Sequence, residues 1–98
     1  MRNIKIYQTD NRQYSFMNWK WAEKYFNIND YKMVLEYNHD NNLDDEELLE
    51  VIFTIGNNGI LHKAHQDKRF RSISVSDIIE LDGVKYFVDS FGFRKVGA

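Results

Sequence analysis

Residues 78–96 read IIELDGVKYFVDSFGFRKV, and this stretch decides the fold. Two apolar runs, IIEL and VKYFVDS, flank the dipeptide Asp82-Gly83. A two-residue hairpin loop of type I′ needs positive φ at both central positions, and Asp-Gly tolerates that, so the pattern predicts an antiparallel hairpin. FRKV adds a short last strand, and Gly92 between Phe91 and Phe93 marks a conformationally demanding turn.

Upstream, residues 43–59 read LDDEELLEVIFTIGNNG. Asp44 is placed to cap a helix, and Glu47, three residues on, completes a capping box of the D-x-x-E kind. Leu43 and Leu48 take the two positions of a hydrophobic staple. Leu48, Leu49, Ile52, Phe53 and Ile55 supply a buried face, expected to pack on a sheet formed partly by Val84, Phe87 and Val88. Gly56 is expected to stop the helix in a left-handed conformation.

The remaining elements follow from periodicity. NIKIYQ (3–8) alternates Ile4 and Ile6 with Lys5 and Tyr7, as a half-buried strand does, and TDNRQ (9–13) is turn-like. NWKWAEKYF (18–26) places Trp19, Ala22 and Phe26 on one helical face and Trp21 and Tyr25 on a neighbouring one. NIND (27–30) breaks that helix. YKMVLEY (31–37) reads as a strand through Met33, Leu35 and Tyr37, followed by an exposed loop at NHDNN (38–42). Ser76 is expected to cap a single turn beginning at Asp77. The sum is an α+β domain, an antiparallel sheet of four or five strands packed against two helices.

The 98 residues are 43% hydrophobic and 15% aromatic, enough for a packed core in one domain. Cysteine is absent, which excludes disulfides and thiolate metal sites and fits a reducing cytoplasm. The opening MRNIKIYQTD holds no apolar run long enough for a signal peptide or membrane span, so a soluble, cytoplasmic protein is expected.

Net charge is −2 but lopsided. Residues 1–22 carry Arg2, Lys5, Arg12 and Lys20 against Asp10. Residues 23–50 carry nine acids against Lys24 and Lys32, and residues 61–71 carry Lys63, Lys68, Arg69 and Arg71 against Asp67. Such asymmetry bears on partners rather than on fold.

Each chemical reading meets an ordinary alternative. His62 and His65, three apart, with His39 and Asp40, suggest metal ligands, but no HExxH context accompanies them, and neither a metal site nor a cofactor is expected. DSFG (89–92) lacks the spacing and the glycine-rich loop of a kinase. Asp77 and Asp89 are read as acceptors for nearby backbone amides at a helix start and a strand end, not as catalytic acids. No Ser/His/Asp order is supported, so no catalytic residue is assigned and no enzymatic activity is expected.

Acids in the first turn of a helix stabilise it by roughly 0.3–1 kcal/mol each, which accounts for much of the run from Asp44 to Glu47. The competing reading is an acidic patch, extended by Asp40 and Glu50, that imitates phosphates. In it Asp44 and Glu47 serve the cap while Asp45, Glu46 and Glu50 remain for a partner, with Glu46 and Glu50 on one face. HKAHQDKRFR (62–71), with Lys63, Lys68 and Arg69, could touch nucleic acid, although a pI near 5.9 is far from the basic footprint of such proteins. The aromatic surface around Trp19 and Trp21 is the remaining candidate contact.

The sequence also resembles a known family. Ser72, Ser74, Val75, Ser76, Asp77, Ile78 and Ile79, followed by Leu81, Tyr86, Phe87, Asp89, Ser90, Gly92 and Phe93, are similar to the C-terminal signature of the YodL-like domain. KIYQ with Tyr14, Phe16 and Met17 is similar to that family's start, while the His- and Lys-rich stretch before the signature departs from its pattern. The resemblance implies one YodL-like domain over residues 1–98, of a kind found in accessory proteins of plasmids, conjugative elements and phages, with no catalytic residues to carry over. Because mobile elements carry inhibitors of host defence nucleases, it further implies an anti-CRISPR protein that binds a Cas9-type effector nuclease or its ribonucleoprotein. The alternative is an accessory nucleic-acid-binding domain of a plasmid or conjugative element.

Overall fold

The computed structural model describes residues 2–40, 42–61 and 71–96. Five antiparallel strands form one sheet: β1 (Arg2–Gln8), β2 (Lys32–His39), β3 (Ile78–Leu81), β4 (Val84–Val88) and β5 (Phe93–Val96), in the spatial order β2-β1-β3-β4-β5. The α-helices α1 (Trp19–Ala22) and α2 (Asp45–Asn57) complete an α+β fold. The hairpin follows the Asp-Gly signal: Asp82 and Gly83 have φ of 48° and 92°, and Leu81 pairs with Val84 across the turn.

The sheet is covered on both faces. Ile4, Ile6, Leu35, Ile79, Leu81 and Val88 meet Leu48, Leu49 and Ile52 of α2 in one core cluster. On the other face Ile78 and Phe87 pack with Tyr14, Ala22 and Tyr31, joined by Tyr7, Trp19 and Phe26. Strand β3 lies at the centre of the order and is buried at all four positions. Its Glu80 survives burial because Lys5 and Lys85 flank it at 3.7 and 3.1 Å and the Tyr7 hydroxyl donates to it at 3.0 Å. Burial alone would raise that carboxyl, but hydrogen bonds from Lys85 and Tyr7 hold it below its ordinary range.

The cap of α2 forms as its sequence predicts. The Glu47 amide donates to Asp44 Oδ1 at 2.9 Å, the Glu47 side chain accepts from the Asp44 amide, and Leu43 packs on the cluster that holds Leu48.

Five expectations are corrected. Gly56 lies inside α2, which runs to Asn57, and the left-handed glycine that follows this helix is Gly59 at φ 91°. Gly56 is needed for approach: a Cβ there would sit 2.3 Å from Ile73 Cδ1. Met33 is exposed because the register shifts between Ile6 and Tyr7, inserting Val34 as an extra residue and turning Met33 away from the α2 face. Phe87 faces away from α2 and Val84 is exposed, leaving Val88 with Tyr86, Ile79 and Leu81 to meet the helix. No helical turn follows Ser76, since Ile78 begins β3. Finally, β2 continues through Asn38 and His39, so the loop expected there starts later.

Helix α1 is only one turn long, yet Trp19, Ala22 and Phe26 share a cluster as the helical spacing predicts. Trp19 stacks edge-on to both Phe26 and Phe87, at centroid distances of 5.2 and 5.1 Å.

Candidate functional site

The segment from Thr9 to Asn18 joins β1 to α1 and is fastened at both sides. Tyr14 is fully buried, and its hydroxyl donates to Asp30 Oδ2 at 2.9 Å. The Asn18 side chain caps α1 by accepting from the Trp21 amide at 3.1 Å. The Trp19 amide donates to Asp89 Oδ1 at 3.0 Å, tying α1 to the turn between β4 and β5. That turn closes through an Asp89 amide to Gly92 carbonyl bond of 3.0 Å, with Gly92 at φ 81°. Asp89 thus accepts backbone amides, as expected, but one of them comes from a distant helix.

Between these anchors Phe16 adopts φ 67°, a left-handed conformation unusual for an aromatic residue. Its amide donates to Ser76 Oγ at 2.8 Å, and Ser76 is itself left-handed at φ 84°. The Ser76 amide bonds Val88 O at 2.9 Å, and its carbonyl accepts from the Tyr31 hydroxyl. The Phe16 ring is 60% exposed, with the Arg71 guanidinium 4.7 Å from its centroid.

Arg71 is in turn held from below. It makes a bidentate pair with Asp77, at 2.8 and 3.0 Å, and donates to Thr9 O at 3.2 Å. Asp77 is completely buried and also accepts from the Ser74 amide at 2.9 Å and Gln8 Nε2 at 3.1 Å. Burial pushes this carboxyl up to about 6, against the opposing pull of Arg71 and the two other donors. Asp77 is therefore the centre of a buried network as well as a backbone acceptor.

This framework presents a groove of about 660 Å³ lined by Phe16, Met17, Asn18, Lys20, Trp21, Lys24, Val75 and Ser90. Trp21 is 59% exposed, and Met17 and Tyr25 also stand out from the surface. A second groove of about 270 Å³ adjoins it at Val75 and Ser90 and runs past Phe91 and Phe93 to Glu50. Large apolar side chains gathered on one surface mark a contact site more often than scattered ones do.

The residues singled out from sequence are distributed unevenly around this groove. Trp21 lines it, whereas Trp19 belongs to the core beneath. Glu50 lines the adjoining groove and Glu46 lies one turn back on α2, exposed; neither makes an ion pair among the described residues. Asp45 is engaged internally, paired with Arg2 at 2.6 Å and near the Tyr86 hydroxyl at 3.4 Å. Asp40 is exposed beyond β2. Lys63, Lys68 and Arg69, with His62 and His65, lie outside the described residues.

Sequence reasoning missed Phe16, Met17, Lys20 and Lys24 as groove residues. The available signal was an adjacent Phe-Met pair between a turn and a helix, with no apolar period to absorb it.

Among the described residues no group of three or more His, Asp or Glu side chains could hold a metal ion, and no helix is long and apolar enough to cross a membrane. No curated protein and no solved structure matches the chain. The family model of the YodL-like domain matches residues 2–98, including the SISVSD and VDSFGF stretches that build the Ser76, Asp77 and Asp89 anchors, and the chain belongs to the YodL-like domain family.

Proposed function

We propose that this YodL-like domain is a non-enzymatic inhibitor that acts by binding a protein, its target a Cas9-type CRISPR effector nuclease in the cytoplasm. One observation carries the protein-binding reading: an exposed aromatic, Phe16, is held in a left-handed backbone conformation at the mouth of an apolar groove. Such strain costs of order 1–3 kcal/mol and clusters at functional sites. A Phe-Met-Trp surface has the composition of an interface core, where aromatic residues and Met are enriched. The choice of target, and an origin in a mobile element, rest on the family resemblance and its company with anti-defence proteins.

The test is a DNA-cleavage assay with purified Cas9-type ribonucleoprotein, with co-elution measured alongside. The expected result is dose-dependent inhibition and a stable complex, both weakened at least tenfold by Trp21→Ala. Glu46→Lys/Glu50→Lys asks separately whether the acidic side of α2 contributes. Full cleavage and no co-elution across a panel of such effectors would overturn the target assignment.

A further inference from the structure

We infer that the Phe16–Trp21 groove takes an acidic protein segment bearing large apolar side chains, with its carboxylates at the Lys20/Lys24 end. This rests on the protein-binding reading of the groove and not on the choice of target.

The eight lining residues include two lysines and no carboxylate. Neither lysine makes an ion pair among the described residues, so both ammonium groups are available to an incoming charge. Glu23, the acid between them in sequence, does not line the groove. Trp21 stands between Lys20 and Lys24 in the chain, and Phe16 and Met17 line the same groove. An apolar anchor can therefore bury against rings and thioether while neighbouring carboxylates meet the lysines. Met adapts its shape to irregular apolar partners, which suits side-chain insertion.

Lysines beside aromatic rings could also serve a single-stranded nucleic acid. A phosphate backbone needs cations along its whole track, since its affinity comes from neutralising successive phosphates. Here the track past Val75 and Ser90 leads to Glu50 and Asp89, and the chain as a whole is negative. Those carboxylates repel a polyanion, whereas a peptide can place a neutral or basic residue there. The electrostatics favour protein.

The experiment pans a phage-displayed library of twelve-residue random peptides on the full chain, then measures binding of the enriched peptides and of oligothymidylate by fluorescence anisotropy. Enriched peptides should combine Asp or Glu with Leu, Phe, Trp or Met. Their Kd should rise at least tenfold in Trp21→Ala and in Lys20→Glu/Lys24→Glu, and should weaken with salt as exposed ion pairs are screened. All three side chains face outward, so circular dichroism and melting should be unchanged; if Trp21→Ala were unfolded, the charge reversal alone decides. Basic or uncharged consensus peptides, affinities unmoved by the lysine reversal, or tighter oligothymidylate binding lost in the same variants would overturn the inference. Groove-dependent acidic peptides without nuclease inhibition would leave it standing while removing the target assignment. Nuclease inhibition that ignores both variants would do the reverse.

Discussion

The Phe16 amide donates to the Ser76 hydroxyl at 2.8 Å, and both residues lie in the left-handed region of backbone space. Each conformation is held by the other element: Ser76 is locked to Val88 and Tyr31, and Phe16 is clasped by Ser76 below and Arg71 above. Phe16→Gly should therefore keep or raise the melting temperature, because glycine accepts positive φ without strain. The same variant should lose partner binding. Ser76→Ala removes a buried hydroxyl and strands an amide, which should cost about 1–3 kcal/mol in urea unfolding. A large stability loss in Phe16→Gly would make the ring a structural element instead of a contact.

Gly56 and Ile73 form a second close relationship. Replacing Gly56 by Ala brings a methyl within 2.3 Å of Ile73 Cδ1 and 2.7 Å of its Cγ1. Helix propensity alone would favour Ala by about 1 kcal/mol, but overpacking should outweigh it and leave a net cost of roughly 1–3 kcal/mol. In an Ile73→Ala background most of that penalty should vanish, a coupling that a double-mutant cycle reads directly. A stabilised single variant would show that Ile73 can move aside freely.

Ile52 is fully buried where α2 meets the sheet, so Ile52→Ala should cost about 2–5 kcal/mol. Its melting transition should fall accordingly. On the same helix the exposed Thr54 provides the comparison: Thr54→Ala should change stability by no more than about 0.5 kcal/mol.

The buried Asp77 makes stability depend on pH with a definite sign. Its carboxyl is raised from 3.8 to about 6, so between those values the folded state binds more protons than the unfolded chain. The contribution of this group is full below the unfolded value and is lost as pH rises through the folded one. The steepest loss a single group can give is about 1.4 kcal/mol per pH unit. Urea unfolding at half-unit steps from pH 4 to 7 should show this component in the parent, and Asp77→Asn should lack it. An identical pH slope in parent and variant would place the titration elsewhere.

Local sequence determined the elements whose physics is itself local. Asp82-Gly83 specified its hairpin because the left-handed requirement falls on two adjacent residues. Asp44 and Glu47 specified the start of α2 because both partners of the capping box lie within one turn. The alternation of Ile4 and Ile6 and the run of Leu48, Leu49 and Ile52 then sufficed for an α+β domain with α2 on the sheet. What only the tertiary structure decided involves partners far apart in the chain. Met33 turned outward because a bulge opposite Ile6 and Tyr7 shifted its register, and Gly56 lies inside α2 with Ile73 packed where a side chain would be. The groove is the clearest case: Phe16 is held by Ser76, Arg71 by Asp77, and Trp19 by Asp89. Each pair except Arg71–Asp77 spans some sixty residues or more, and even that pair is built on Gln8 and Thr9 at the other end of the chain. A left-handed aromatic is disfavoured by its own local energetics, so only contacts assembled by the finished sheet could select it.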